Sequence, residues 1–235
     1  MAAPIRFHTW GEFACFTRPE MKVERVSYEV ITPSAARGVL EAIYWKPEIR
    51  WRVTRLHVLK LIRFTSLRRN EVASKLPARS AEAAMSGGGG SLGLYVEDDR
   101  QQRAATVLRD VAYVIEARFD IVGGEDNPGK HLDQFNRRAS DGRCFHRPYL
   151  GCREFPADFA LIEPGAPLPE SELAGSGERD VGWMLDDIEY TADPKGPILD
   201  GNRGERWRAE ARFYPVTMVN GVIDVEECRS RGLRS

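Results

Sequence analysis

Thr106-Val107-Leu108-Arg109-Asp110-Val111-Ala112-Tyr113-Val114-Ile115-Glu116-Ala117-Arg118-Phe119-Asp120-Ile121, followed shortly by Asn127-Pro128-Gly129-Lys130-His131, is the stretch from which the architecture can be read. In the first part Val107, Val111, Tyr113, Ile115, Ala117 and Phe119 share one face, the period of a long strand, and only Arg109 breaks that face. In the second, Asn127 is a helix cap and Pro128 takes the first helical position, where a missing N–H costs nothing. Leu132, Phe135 and Ala139 then point one way, whereas Lys130, His131, Gln134, Arg137 and Arg138 largely point elsewhere, and Gly142 is a natural stop. A strand feeding such a helix is half of a split βαβ unit.

Upstream, Ile5 to Arg18 reads as extended, with Ile5, Phe7 and Thr9 alternating and Phe13 and Phe16 continuing past a break at Gly11. Thr32-Pro33 opens a helix whose core stripe is Ala36, Val39, Leu40 and Ile43; Pro47 ends it soon after Tyr44, which falls in the last turn, off that stripe. Ile49 to Phe64 is β-rich, and polar Thr54-Arg55 predicts a bulge within it. Leu67 to Ser91, small, polar and ending in Gly87 to Gly90, reads as a mobile connection between strands; without a Gly-Lys-Ser/Thr it is no P-loop. Tyr149 to Phe159 supplies one more strand. The order strand, helix, strand, strand, helix, strand predicts an α+β, ferredoxin-like (RRM-like) domain over residues 1–160. Residues 161–235 are read as an acidic linker, Pro164 to Asp180 at its centre, and a small antiparallel β-sheet subdomain: Trp183 to Thr191, Trp207 to Tyr214 and Val216 to Val225 are strand-like, with an Asn220-Gly221 hairpin turn.

No apolar run approaches the roughly 18 residues that would span a bilayer, and Met1 to Trp10 has no signal-peptide character, so the expectation is a cytoplasmic protein without a membrane partner. The four cysteines form no C-x-x-C pair and read as reduced thiols rather than metal ligands. A net charge of −1 conceals a division along the chain. Tyr44 to Arg69 carries +7, Lys130 to Arg153 +4 and Leu161 to Glu205 −8. The two basic segments interleave Tyr44, Trp45, Trp51, Phe64, Phe145 and Tyr149 with their cations, a composition suited to a polyanion whose bases stack on rings, as single-stranded RNA does. The acidic stretch cannot favour RNA and is expected to lie away from the cleft or to meet another protein.

Lys130 and His131 fall in a first helical turn, beside unpaired N–H groups and the positive end of the helix dipole, a place for a phosphate that also favours a neutral, proton-accepting imidazole. Candidate RNA contacts are Lys46, Arg50, Arg52, Arg137, Arg138 and Arg147. His146, in the loop after the helix, is a second-ranked histidine; His8 and His57 are read as sheet or surface residues.

Three stretches together carry a resemblance: Ile43-Tyr44-Trp45-Lys46-Pro47 leading to Arg50-Trp51-Arg52-Val53; Arg63-Phe64 with Arg68-Arg69-Asn70-Glu71-Val72; and Lys130-His131 followed by Cys144-Phe145-His146-Arg147-Pro148-Tyr149-Leu150-Gly151-Cys152-Arg153-Glu154-Phe155. They resemble the CRISPR-associated endoribonucleases of the type I-C (Dvulg) system, Cas5 family, of the RAMP superfamily. The resemblance implies cleavage of CRISPR precursor RNA at the repeat hairpin, without metal or cofactor, by Tyr44, Lys130 and His131. It implies attack by the ribose 2′-hydroxyl, leaving a 2′,3′-cyclic phosphate and a 5′-hydroxyl, and retention on the mature guide beside other subunits of the type I-C interference complex. Such chemistry needs a base, a cation and an acid. His131 suits the base and Lys130 the cation. Tyr44, with a phenol pKa of about 10, orients the nucleophile or shares the proton transfer, and both assignments stand open. The alternatives are a non-catalytic RNA-binding subunit of that complex or a double-stranded DNA-binding one.

Overall fold

The computed structural model describes residues 4–87, 92–122, 127–199 and 205–234. The chain runs β1 (Ile5–Ala14), α1 (Pro33–Ile43), β2 (Ile49–Val58), β3 (Phe64–Val72), α2 (Ala78–Met85), β4 (Arg100–Ile121), α3 (Pro128–Ser140) and β5 (Asp158–Ile162). It continues through β6 (Glu178–Ala192), β7 (Ile198–Leu199), β8 (Arg206–Val219), β9 (Val222–Asp224) and α4 (Val225–Ser230). The sheet order is β5-β1-β4-β2-β9-β8-β6, with β3 on β4 and β7 on β8, and every strand pair is antiparallel. Within it, β5-β1-β4-β2 is the ferredoxin-like arrangement predicted from the element order.

One face of that sheet meets α1 and α3. Phe7, Trp51, Val53, Leu56, Tyr113 and Ile115 pack there against Val39, Leu40, Ile43 and Phe135 in one continuous core. Alternation along β2 follows from this: Ile49, Trp51 and Val53 are buried while Arg50 and Arg52 are exposed on the other face. The register slips between Val53 and Arg55, the bulge that Thr54-Arg55 predicts. Helix α1 starts as read, with the Thr32 hydroxyl accepting from the Ala35 N–H at 3.2 Å.

Several expectations are corrected. Leu67 to Val72 is strand, because β3 pairs along the outer half of a longer β4. Ala78–Met85 is a helix, which Ala78, Ala81, Ala83 and Ala84 favour by propensity; Gly88 to Ser91 lie outside the described residues. Tyr149 to Phe159 is not a strand: a single bridge, Tyr149 to Pro156, closes a tight loop, and β5 starts only at Asp158. The Pro164 to Asp180 segment is strapped to the sheet, with Arg6 donating to the Ala166 carbonyl at 2.9 Å and the Ser171 hydroxyl to that of Val58 at 2.6 Å. The C-terminal strands are antiparallel, but β8 runs unbroken through Pro215, and β9 joins them to β2. Asn220 and Gly221 make the expected turn with φ of 50° and 79°. Among the described residues no helix is long and apolar enough to cross a membrane.

Candidate functional site

Helices α1 and α3 each pack back across antiparallel strands, so the end of α1 meets the start of α3. Tyr44 caps α1 in an extended conformation (φ −151°, ψ 117°), which turns its side chain off the helix axis, and its own carbonyl accepts from the Trp51 indole N–H at 3.0 Å. Asn127 caps α3, accepting from the Gly129 N–H at 2.8 Å, and Pro128 follows at the helix start. Lys130 and His131 therefore occupy the first turn. The Tyr44 phenol oxygen lies 2.9 Å from Nδ1 of His131.

His131 departs from its expected orientation. It is only 2% exposed and shares the buried face with Phe135 and Ala139, while Leu132 is half-buried at the margin. Residues 131, 135 and 139 recur every fourth position and so line one stripe, which turns the imidazole inward and leaves Lys130 exposed. Tyr44 is 5% exposed and likewise buried. Phe119 meets the His131 ring edge-on at 6.1 Å between centroids, and Trp51 meets Phe119 at 5.3 Å, so an aromatic floor sets the imidazole plane. Trp51 and Phe119 are directly opposite in the β2–β4 register. Their positioning role was missed in the sequence, although period-two alternation already puts both on the core side.

The other candidates divide. Arg50 and Arg52 are exposed on the sheet face away from α1 and α3, where Arg52 pairs with Asp120. Those two arginines are not brought to the Tyr44–His131 pair. Lys46 is exposed just after α1, and Arg137, which donates to Gln134 at 2.8 Å, and Arg138 lie on α3. Arg147 donates to Asp158 at 2.9 Å. His146 is exposed in the loop after α3, its ring stacked on Tyr149 at 6.2 Å. That loop returns to α1: the Phe145 N–H donates to the Ala42 carbonyl at 2.7 Å.

Beyond Arg147 the motif run is structural. Gly151 sits at φ +84°, and a Cβ there would lie 2.1 Å from the Cys15 carbonyl oxygen. The Cys152 thiol faces Cys15, and its hydrogen bond, helped by Thr17, Arg25 and Arg69, lowers the Cys15 thiol to about 6 while Cys152 is pushed up. Glu154 pairs with Arg69 and Arg25, and these bonds hold its carboxyl below the usual range although burial pushes it up. On the sheet face away from α1 and α3, a cavity of about 710 Å³ is lined by His8, Trp10, Glu12, Lys60, Asp110 and Glu172. Its carboxylates do not suit a polyanion. Among the described residues, no group of three or more His, Cys, Asp and Glu side chains is placed to hold a metal.

On this ferredoxin-like sheet the Tyr44 phenol at the end of one helix meets the His131 imidazole in the first turn of another, where Lys130 is exposed. A solved structure described as a CRISPR-associated protein has the same fold, with a TM-score of 0.63 at 21% identity over 100% of this chain and 97% of that one. The chain belongs to the Cas5d family, since the family description CRISPR-associated protein (Cas_Cas5) matches residues 5–226. A relative from Mannheimia succiniciproducens, named CRISPR pre-crRNA endoribonuclease Cas5d, is 53% identical over 230 residues, 96% of each chain. One of the same name from Thermus thermophilus is 44% identical over 215 residues, 91% of this chain and 86% of its own.

Proposed function

We propose that this protein is a pre-crRNA endoribonuclease that cuts the repeat by attack of a ribose 2′-hydroxyl on the adjacent phosphorus. The observation that carries this reading is the 2.9 Å contact between Tyr44 and His131, beside Lys130 at a helix N-terminus. The names of relatives that align over nearly the whole chain support it.

In the reaction a base takes the 2′-hydroxyl proton, O2′ bonds to phosphorus, the bond from phosphorus to O5′ breaks, and an acid returns a proton to O5′. The products are a 2′,3′-cyclic phosphate and a 5′-hydroxyl. The Lys130 ammonium and the helix N-terminus stabilise charge on the non-bridging oxygens. His131 and Tyr44 share one hydrogen bond that admits two proton placements: the phenol donates to Nδ1, or Nδ1–H donates to the phenol oxygen. That bond suits a pair in which one group removes a proton and the other reorganises to match it. Burial of both rings strengthens that hydrogen bond.

Repeat RNA incubated with the protein in EDTA tests the reading: cleavage is expected, with products bearing a cyclic phosphate, and a 2′-deoxy sugar at the cut should block it. A second reading, a non-catalytic RNA-binding subunit of an interference complex, draws on the burial of both rings, which also makes them a clasp between α1 and α3. It expects RNA that is bound and left uncut. We further propose that the protein remains on the cut RNA as a subunit of that complex and acts in the cytoplasm.

A further inference from the structure

Two aromatic rings stand out from the surface at the same helix end. Phe145 is 83% exposed and Trp45 58%. Single exposed apolar residues are ordinary and say little by themselves. Here position, rigidity and charge add to exposure.

Trp45 directly follows Tyr44, whose carbonyl is held by the Trp51 indole at 3.0 Å. Phe145 is fixed to the same last turn of α1 by its N–H bond to Ala42 at 2.7 Å. The loop carrying it is tied on both sides, by Arg143 N–H to the Arg138 carbonyl at 2.8 Å and by Ala157 N–H to the Pro148 carbonyl at 2.9 Å. Both rings therefore lie on short, anchored backbone beside the Tyr44–His131 pair. Their sequence neighbours are cationic: Lys46 follows Trp45, and Arg143 and Arg147 bracket Phe145. Asp141 faces Arg143 at 3.4 Å and Asp158 faces Arg147 at 2.9 Å, and both pairs are solvent-exposed, so a phosphate can compete for either cation.

His146, the second-ranked histidine of the sequence, has its ring engaged within the protein. It stacks on Tyr149, over which the Arg153 guanidinium sits at 5.7 Å, and Phe145 meets it edge-on at 6.1 Å. This contact braces Phe145 while most of its ring surface stays open to solvent. An exposed ring in a cationic frame matches a nucleobase joined to phosphate, because the base stacks while the phosphate meets the cations. An apolar protein partner would be poorly served by that frame, and bases in a duplex cannot reach a ring on the surface.

We propose that Trp45 and Phe145 are a stacking clamp for unpaired nucleobases on either side of the scissile phosphodiester, and that they set which bond enters the site. The inference rests on the endoribonuclease reading for the identity of the RNA. Its test is independent of cutting. Repeat RNA with a 2′-deoxy sugar at the cut and a single 2-aminopurine, moved along the positions around the cut, is titrated with the wild-type protein, Trp45→Ala, Phe145→Ala and Phe145→Trp, reading fluorescence and anisotropy. Quenching is expected at two positions, one lost in Trp45→Ala and the other in Phe145→Ala but kept in Phe145→Trp, with affinity about ten-fold weaker in each alanine variant. Quenching and affinity unchanged in both alanine variants would overturn the clamp, as would RNA that does not bind the wild type. Position-specific quenching with uncut unmodified RNA would support the clamp while sinking the endoribonuclease reading.

Discussion

The phenol oxygen of Tyr44 is 2.9 Å from Nδ1 of His131, although the two residues are 87 positions apart in sequence. Each ring is positioned by its own helix terminus and both by one aromatic floor, so the contact depends on the whole ferredoxin-like sheet rather than on any local segment.

Removing the phenol hydroxyl alone should separate chemistry from packing. Tyr44→Phe keeps the ring in its buried slot but leaves Nδ1 without that partner, and His131→Ala removes the imidazole. Each is expected to slow single-turnover cleavage by about 10²- to 10⁴-fold, the range of general acid–base contributions, while repeat RNA still binds. A full cleavage rate in either variant would exclude the pair from the chemistry.

Phosphate contacts should sort by sheet face. Lys46→Ala and Arg138→Ala are expected to weaken binding and to lower the slope of log K against log salt by about 0.7 each, the single-strand value per contact. Arg52→Ala should leave that slope unchanged, because Arg52 is paired with Asp120 on the face away from α1 and α3. Filter binding from low to moderate salt reads both; an equal loss of slope in Arg52→Ala would show that RNA also uses that face.

Glu116 should give stability a dependence on acid. It is buried beneath Arg55 and His57, with His57 Nε2 at 3.0 Å. Its carboxyl is held below the ordinary value of 4.5, first by the His57 hydrogen bond, with Arg55 and Arg6 adding to it and burial opposing. For a carboxyl depressed in the folded state, the stabilisation is complete above the unfolded value and is lost as pH falls through the folded one. Glu116→Gln is expected to lower Tm by about 2–4 °C at neutral pH and to narrow its gap from wild type as pH drops below about 4.5. A gap constant from pH 7 to pH 3 would contradict this linkage.

Gly151 permits no side chain. With φ at +84° and a would-be Cβ 2.1 Å from the Cys15 carbonyl oxygen, Gly151→Ala must displace either the backbone just after β1 or the loop that carries Phe145. A loss of about 3 kcal/mol or more is expected by urea denaturation, above the ordinary range for a surface substitution. A loss below about 1 kcal/mol would mean the two backbones can part cheaply.

The repeating strand and helix patterns were legible because each side chain reports its own face. Val107 to Phe119 and Ala36 to Ile43 name the sheet and the first helix, and Asn127-Pro128 and Thr32-Pro33 mark both helix starts. His131 was read as outward because its polarity outweighed its spacing from Phe135 and Ala139. A polar group satisfied by a distant phenol can sit on a buried stripe, and no local pattern reveals the partner. The Leu67 to Val72 strand was missed for a related reason: polar on both faces, it owes its form to pairing with β4. The exposed face of Phe145 emerges only once the loop is folded back onto Ala42.

Helix α1 is eleven residues long and ends at its cap. Each residue added to or removed from it would swing Tyr44 by about 100° and shift it about 1.5 Å along the axis, carrying the phenol out of reach of its partner across the cleft. The length of that one helix thus acts as a ruler for the Tyr44–His131 contact. Insertions can accumulate in the outlying β3–α2 excursion, but this segment has room for none, since even a whole turn, which restores the facing, would move Tyr44 about 5.4 Å along the axis.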